Sequence, residues 1–152
     1  MTRATLYADG GARGNPGPAG SGAVLLDEQG RVIAELKRSL GHATNNVAEY
    51  TGLIIGLEEA LRRGIDTIDV RMDSLLVVQQ MKGLWKIKHP GLRPLALRAG
   101  ELLARFPDRH FHHVAHFVGI RRRADRTLVR IEYLQFHFGA CAQNCAAPAP
   151  RT

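Results

Sequence analysis

The spacing of apolar and polar positions changes character several times along this chain. Residues 4 to 9, Ala-Thr-Leu-Tyr-Ala-Asp, make a short β-rich run, and further strands are predicted over 21–27 and 31–40. From residue 45 the period lengthens. Val47, Leu53, Ile54, Leu57, Ala60 and Leu61 recur at helical spacing, which predicts an amphipathic helix over about 45–63, capped by Thr44 or Asn45 and ended near Gly64. Alternation returns in Thr67-Ile68-Asp69-Val70-Arg71-Met72, a strand over 67–73, and Ser74 then opens a helix carrying Leu76, Val77 and Met81. A further helix is expected at about 92–105 and a strand near 110–118. Strands first, then strand and helix in alternation, describe a mixed α/β domain. A length of 152 residues and 45% apolar content fit one compact unit.

Three carboxylates stand where this pattern breaks. Asp9 ends the first apolar run, and Gly10 to Gly20 follows with five glycines and two prolines, so strand is expected to give way abruptly to turn. A strand-end acid beside backbone that only glycine permits suits a metal ligand, because a phosphate can approach closely there. Taken alone, Asp9 reads better as the start of a hairpin turn, and the other two acids change that. Glu49 falls near the margin of the stripe that includes Val47, Tyr50 and Ile54. As a carboxylate in the first helical turn it also reads as a capping acid. Asp73 closes the strand over 67–73, and as a lone feature it is an N-cap.

Charge narrows the choice of partner. Lys plus Arg number 21 against 14 Asp plus Glu, a net +7 that suits a polyanion. Placement sharpens this in Trp85-Lys86-Ile87-Lys88-His89, where two cations flank an aromatic before a Pro-Gly turn. Such an aromatic can pack on a sugar or base while the lysines neutralise phosphates. A tryptophan that plugs the core, with its lysines snorkelling outward, fits the same residues. No stretch is apolar for long enough to span a bilayer, and the start lacks the pattern of a signal peptide, so a cytoplasmic, monomeric protein is expected. Cys141 and Cys145, with His137 nearby, form a C-x3-C without a second pair, which reads as part of a frayed tail over a zinc site.

The run DGGARGNPGPAG at 9 to 20, TNNVAEY at 44 to 50 and DSLLVVQQM at 73 to 81, in this order and spacing, resembles type 1 ribonuclease H, especially its compact bacterial and archaeal members. The resemblance covers roughly residues 4 to 114, and WKIKHPGLRPL at 85 to 95 adds to it. It implies a ribonuclease H-like fold, a mixed five-stranded sheet with helices on both faces, whose first three strands form an antiparallel meander. It also implies a metal-dependent endoribonuclease that cuts the RNA strand of RNA/DNA hybrids to 5′-phosphate and 3′-hydroxyl products. In that scheme two Mg²⁺ or Mn²⁺ ions, roughly 3.5–4 Å apart, are held by Asp9, Glu49 and Asp73, with Asp9 as the bridging ligand. Clustered acids repel one another without metal, so at least one pKa should rise.

The resemblance extends to substrate contacts. Gly10, Gly11, Arg13 and Asn15 face the minor groove of an A-like helix, with Asn15 and Asn46 reading RNA. Thr44 and Asn45 hold a DNA phosphate, and Trp85, Lys86 and Lys88 lie along the DNA strand. Ordinary turn and cap chemistry is the alternative for the Asn and Thr residues. Leu75 departs from the polar residue that many relatives carry after the Asp-Ser pair.

The C-terminal pattern frays. The family places a fourth acid in a stretch of the form Asn-x-x-Ala-Asp-x-Leu, and Ala124-Asp125 fits it while Arg121 and Thr127 do not. Asp125 is therefore the expected fourth metal ligand, with Glu132 as a substitute if the helix register slips. His116 is the candidate mobile-loop residue, in competition with His110, His112 and His113. A divergent terminus and a shifted reading frame both account for this region. A catalytic domain is expected over 1–138 and a flexible tail over 139–152. The alternative to an active nuclease is a catalytically weak hybrid or duplex binder on the same fold.

Overall fold

The computed structural model describes residues 2–114. Five strands, β1 (Arg3–Ala12), β2 (Gly17–Leu26), β3 (Val32–Ala43), β4 (Thr67–Met72) and β5 (Asp108–His113), form one sheet in the order β3-β2-β1-β4-β5. The first three make an antiparallel meander, whereas β4 runs parallel to both β1 and β5. Three helices, α1 (Asn45–Arg62), α2 (Leu75–Met81) and α3 (Arg93–Ala104), fill the remaining connections. This is the mixed five-stranded sheet that the pattern predicts. Among the described residues no helix is long and apolar enough to cross a membrane.

Strand alternation divides the sheet into two unequal faces. Ala4, Leu6 and Ala8 of β1, Ala23 and Leu25 of β2, and Ile68, Val70 and Met72 of β4 join α1, α2 and α3 in the main core. Tyr7, Val24 and Leu26 form a small cluster on the other side, with Val32 and Val114 against it. The described helices thus cover one face. The stretch in which a helix for the opposite face was expected lies outside the described residues.

One prediction needs correction. The Gly-rich stretch is not a long turn, because β1 runs on to Ala12 and β2 begins at Gly17, with Asp9 opposite Gly22 and Ala12 opposite Ala19. Asp9 therefore stands within β1 and not at its end. Only residues 13–16 turn, and the turn is closed so tightly that a Cβ at Gly17 would lie 1.8 Å from the Arg13 carbonyl oxygen.

Within this stretch, Gly10 serves contact with α1. A Cβ at Gly10 would lie 2.2 Å from the Ala48 carbonyl carbon and 2.6 Å from the Glu49 nitrogen. From the helix side, a Cβ at Gly52 would lie 2.5 Å from the Asp9 carbonyl oxygen, and one at Gly56 would meet the Leu6 side chain at the same distance. Helix and strand backbones touch here with no side chain between them. Buried Ser21 of β2 adds a tie by donating its hydroxyl hydrogen to the Ala48 carbonyl.

Gly52→Ala is expected to destabilise the protein by roughly 1–3 kcal/mol, because the obstructing atom is backbone and cannot swing aside. Gly11→Ala, with nothing within 4 Å of its would-be Cβ, is the matched control and should stay within about 0.5 kcal/mol of the parent. Urea unfolding of the three proteins checks this. Equal midpoints would remove the close-packing account.

Candidate active site

The site forms where β1 outruns β4. The parallel pairing ends with Tyr7 level with Arg71, and two residues further along each chain come Asp9 and Asp73. Strands in register sit about 4.8 Å apart, so the two acids arrive side by side at the carboxyl end of β4. Open α/β sheets bind ligands at such ends. Glu49 reaches them through the glycine contact, since Gly10 touches the Ala48–Glu49 peptide directly. All three acids are half-buried.

Ser74 fastens the group. Its hydroxyl donates to a Glu49 carboxylate oxygen at 2.7 Å and accepts from the Val77 N–H at 3.3 Å, which makes Ser74 the N-cap of α2. Two single-acid readings are thereby corrected: Asp73 does not cap α2, and Glu49 does not cap α1. The cap of α1 is Thr44, whose Oγ1 accepts from the Val47 N–H at 3.3 Å, and the first turn of α1 holds no acid. Glu49 is one turn too late for that role.

Electrostatics record the crowding. Burial, then the negative charge of Asp73 and that of Glu49, push the Asp9 carboxyl from 3.8 up to about 7, against the pull of a 2.8 Å hydrogen bond from the Gly10 N–H. Glu49 is also raised, first by burial and then by Asp73, while its Ser74 bond opposes the shift. A carboxyl raised by burial together with neighbouring acids is the kind of perturbation that functional sites build.

Donor chemistry fits a hard divalent cation. The site offers carboxylate oxygens, the ligands that Mg²⁺ and Mn²⁺ take. Among the described residues no group of three His, Cys, Asp or Glu closes into a ready-made cage. Mg²⁺ does not demand one, because it keeps several waters and is held by one or two carboxylates together with substrate phosphate. The fit is to an open site, filled in part by what binds there.

The predicted substrate residues fall in two groups. Asn45 Oδ1 accepts from the Ala12 N–H at 2.7 Å, and Asn15 Oδ1 accepts from the Asn45 N–H at 3.2 Å, so the β1–β2 turn and the start of α1 are laced together. Arg13 and Asn15 are exposed there, while Gly10, Gly11, Thr44 and Asn46 are half-buried. In the second group Trp85 is 44% exposed, which decides against a core-plugging tryptophan. Lys86 and Lys88 are exposed beside it, and Leu75 begins α2 as an exposed apolar side chain.

His110, His112 and His113 are all exposed on β5. His110 pairs with Asp108 at 3.0 Å, His112 lies 3.8 Å from Asp69, and His113 Nε2 sits 3.1 Å from the Asp73 carbonyl oxygen. They are divided between surroundings, as alternation predicts. Asp125, His116, Glu132, His137, Cys141 and Cys145 lie outside the described residues. Sequence reasoning gave Ser74 only the start of a helix. The sole signal for its second role is its place beside Asp73 at a helix cap.

The Asp9 shift makes a prediction about stability. A carboxyl that holds its proton more tightly folded than unfolded makes folding take up protons, so stability falls as pH rises from about 4 through about 7. The metal-free protein should lose thermal stability across that range. Asp9→Asn should flatten the fall and melt higher than the parent at pH 8. Identical pH profiles for the two would show that Asp9 titrates normally.

Residues 7–116 match the family described as reverse transcriptase-like. A bifunctional protein of Mycobacterium tuberculosis is 52% identical over 105 residues, which are 68% of this chain and 29% of that protein. Its N-terminal RNase H domain, solved as a fusion with maltose binding protein, superposes with a TM-score of 0.74 at 49% identity, covering 75% of this chain and 88% of that one. Ribonuclease HI of Halobacterium salinarum is 47% identical over 112 residues, 74% of this chain and 56% of that protein. LC11-RNase H1 in complex with an RNA/DNA hybrid gives a TM-score of 0.70 at 41% identity, over 78% of this chain and 89% of that one. The chain thus spans between about a third and about half of the curated relatives it matches. With a family match that spans Asp9, Glu49 and Asp73 and solved RNase H domains this similar in sequence and fold, the chain belongs to the type 1 ribonuclease H family.

Proposed function

We propose that this protein is a metal-dependent endoribonuclease that hydrolyses the RNA strand of RNA/DNA hybrids and leaves 5′-phosphate and 3′-hydroxyl ends. The observation that carries the reading is the convergence of Asp9, Glu49 and Asp73 from three separate segments, through the level ends of β1 and β4, the Gly10 contact with the Ala48–Glu49 peptide and the Ser74 bond to Glu49. Kinship with ribonuclease HI and the hybrid bound by LC11-RNase H1 support the substrate. The unit responsible is taken as residues 1–138, with 139–152 outside it, acting as a cytoplasmic monomer.

Asp9, Glu49 and Asp73 would hold two Mg²⁺ or Mn²⁺ ions, with Asp125 as fourth ligand and His116 as the loop residue that aids product release. When bound, such ions supply activation of the attacking water and charge stabilisation at the departing 3′ oxygen. The chain's own part is preorganisation. Asp9 is placed by its Gly10 N–H bond and by close-packed backbone, and Glu49 by Ser74, so the carboxylates need not search for position. Their half-burial lowers the local dielectric, which strengthens attraction to a cation as it strengthens their mutual repulsion.

The laced turn then meets one side of a hybrid and the basic segment the other. Arg13, Asn15 and Asn46 face the ribose-bearing strand, where 2′-hydroxyls distinguish RNA. Thr44 and Asn45 lie toward a phosphate. Trp85, Lys86 and Lys88 take the opposite strand, where exposed cations release counterions and the indole packs on sugar or base.

An end-labelled hybrid should be cut in millimolar Mg²⁺ or Mn²⁺, with cutting stopped by EDTA and restored by added metal. Asp9→Asn should lower the rate by roughly 100-fold or more, since charge stabilisation at a metal site amounts to several kcal/mol. A parent that binds the hybrid without cutting it, just as the variant does, would make this chain the catalytically weak binder. Replacing Lys86 and Lys88 together by alanine should weaken binding and reduce the slope of log K against log salt by about 2. An unchanged slope would place the phosphate contacts elsewhere.

A further inference from the structure

The segment that carries Trp85, Lys86 and Lys88 has no regular secondary structure, yet a buried chain of hydrogen bonds reaches it from the active-site helix. Tyr50, next to Glu49 and fully buried, donates its hydroxyl hydrogen to the side-chain oxygen of Gln80. With its oxygen so occupied, the Gln80 amide turns its nitrogen toward the Lys86 carbonyl oxygen at 3.4 Å. Gln80 is 7% exposed and lies on α2, between the two. A buried amide of this kind is costly unless both ends are engaged.

Among the described residues, the rest of the segment is held by backbone atoms, one arginine and the half-buried Ile87 side chain, which packs against the main core. The Leu84 and Trp85 N–H groups share the Gln79 carbonyl at 2.9 and 3.2 Å, after a turn at Gly83 with φ of 75°. Arg93 Nε donates to the Ile87 carbonyl at 3.5 Å. Gln80 holds the carbonyl between those two ties, at the residue that carries the first cation. Its loss removes the tie at Lys86 and leaves that residue held between the Gln79 carbonyl bonds on one side and the Ile87 core contact on the other.

We propose that Gln80, oriented by Tyr50, is a positioning residue for substrate, which fixes the Trp85–Lys88 segment before nucleic acid arrives. This rests on the nuclease reading, which gives that segment to the hybrid. Its energetic role is preorganisation, because a strip already held in one conformation has less freedom to lose on binding. Glu49 and the segment are thereby referred to one anchor, Tyr50, so that acids and cations keep a constant separation.

Trp85 is the single tryptophan of the chain, so its fluorescence reports the segment directly. Gln80→Leu removes both bonds, and Tyr50→Phe removes only the bond that orients the amide. In Gln80→Leu, Trp85 anisotropy should fall, and Kd for a hybrid, titrated in EDTA, should rise roughly three- to tenfold, as for one lost hydrogen bond. The saturating cleavage rate should stay within about twofold of the parent, because the acids are untouched. Tyr50→Phe should move anisotropy and Kd in the same direction by less, and it serves alone if Gln80→Leu does not fold. Parental anisotropy and Kd in both folded variants would overturn the proposal. So would a fall in saturating rate at unchanged Kd, which would assign the network to Glu49 instead. A parent that neither binds nor cuts a hybrid would overturn the nuclease reading, and with it the role toward substrate. Trp85 anisotropy would still separate that failure from the absence of coupling.

Discussion

Direct backbone contact between α1 and the sheet is the constraint from which the site follows. Gly10 admits the Ala48–Glu49 peptide, and Gly52 admits the Asp9 carbonyl, so two segments distant in sequence meet at the residues that carry acids. Any side chain between them would move Glu49 away from Asp9 by about the width of a methyl group. Glycine within strands weakens them and gives no side chain to pack. The loss is offset by ties at the same place: Ser21 to the Ala48 carbonyl, the exchange among Ala12, Asn45 and Asn15, and the pairing of β2 with both neighbours.

That contact brings like charges together in a half-buried cleft, an arrangement that works against folding. Asp9 carries the conflict most, with its carboxyl pushed up to about 7. The remainder of the molecule must absorb it, and the core is built for this. Leu6, Leu53, Leu57, Ile68 and Val70 are fully buried around the same helix. A cation would turn the repulsion into attraction, so the feature that destabilises the empty protein is the one that would bind metal. Functional sites commonly stand at such odds with stability.

The sequence told these parts unequally. Periodicity placed α1 over 45–63 against an observed 45–62, and β4 over 67–73 against 67–72, because both alternate or repeat cleanly around one buried face. The Gly-rich run misled for a physical reason. Glycine and proline mark turns when read locally, and Gly14 and Gly17 do serve one, but Gly10 answers a helix more than thirty residues away, which no local pattern encodes. Ser74 and Gln80 were missed in the same manner. Each looks ordinary on its own helix, and each acts through a partner twenty-five or thirty residues distant. Trp85 had two readings because an aromatic among lysines serves core or surface alike, and only its 44% exposure separates them.

The two halves of the site are held by different means, and the difference matches what each would do. The acids are fixed by close-packed backbone and short bonds, as a group must be when small displacements of a reacting atom are costly. The cations ride on an irregular strip tied at Gln79, Gln80 and Arg93, so they are ordered without being part of the core. A charge that meets a phosphate through solvent tolerates more latitude than a ligand to metal, since its attraction falls off gradually with distance. Rigid acids and a tethered basic strip thus follow from one physical distinction, between a contact that must be exact in geometry and one that need only be near.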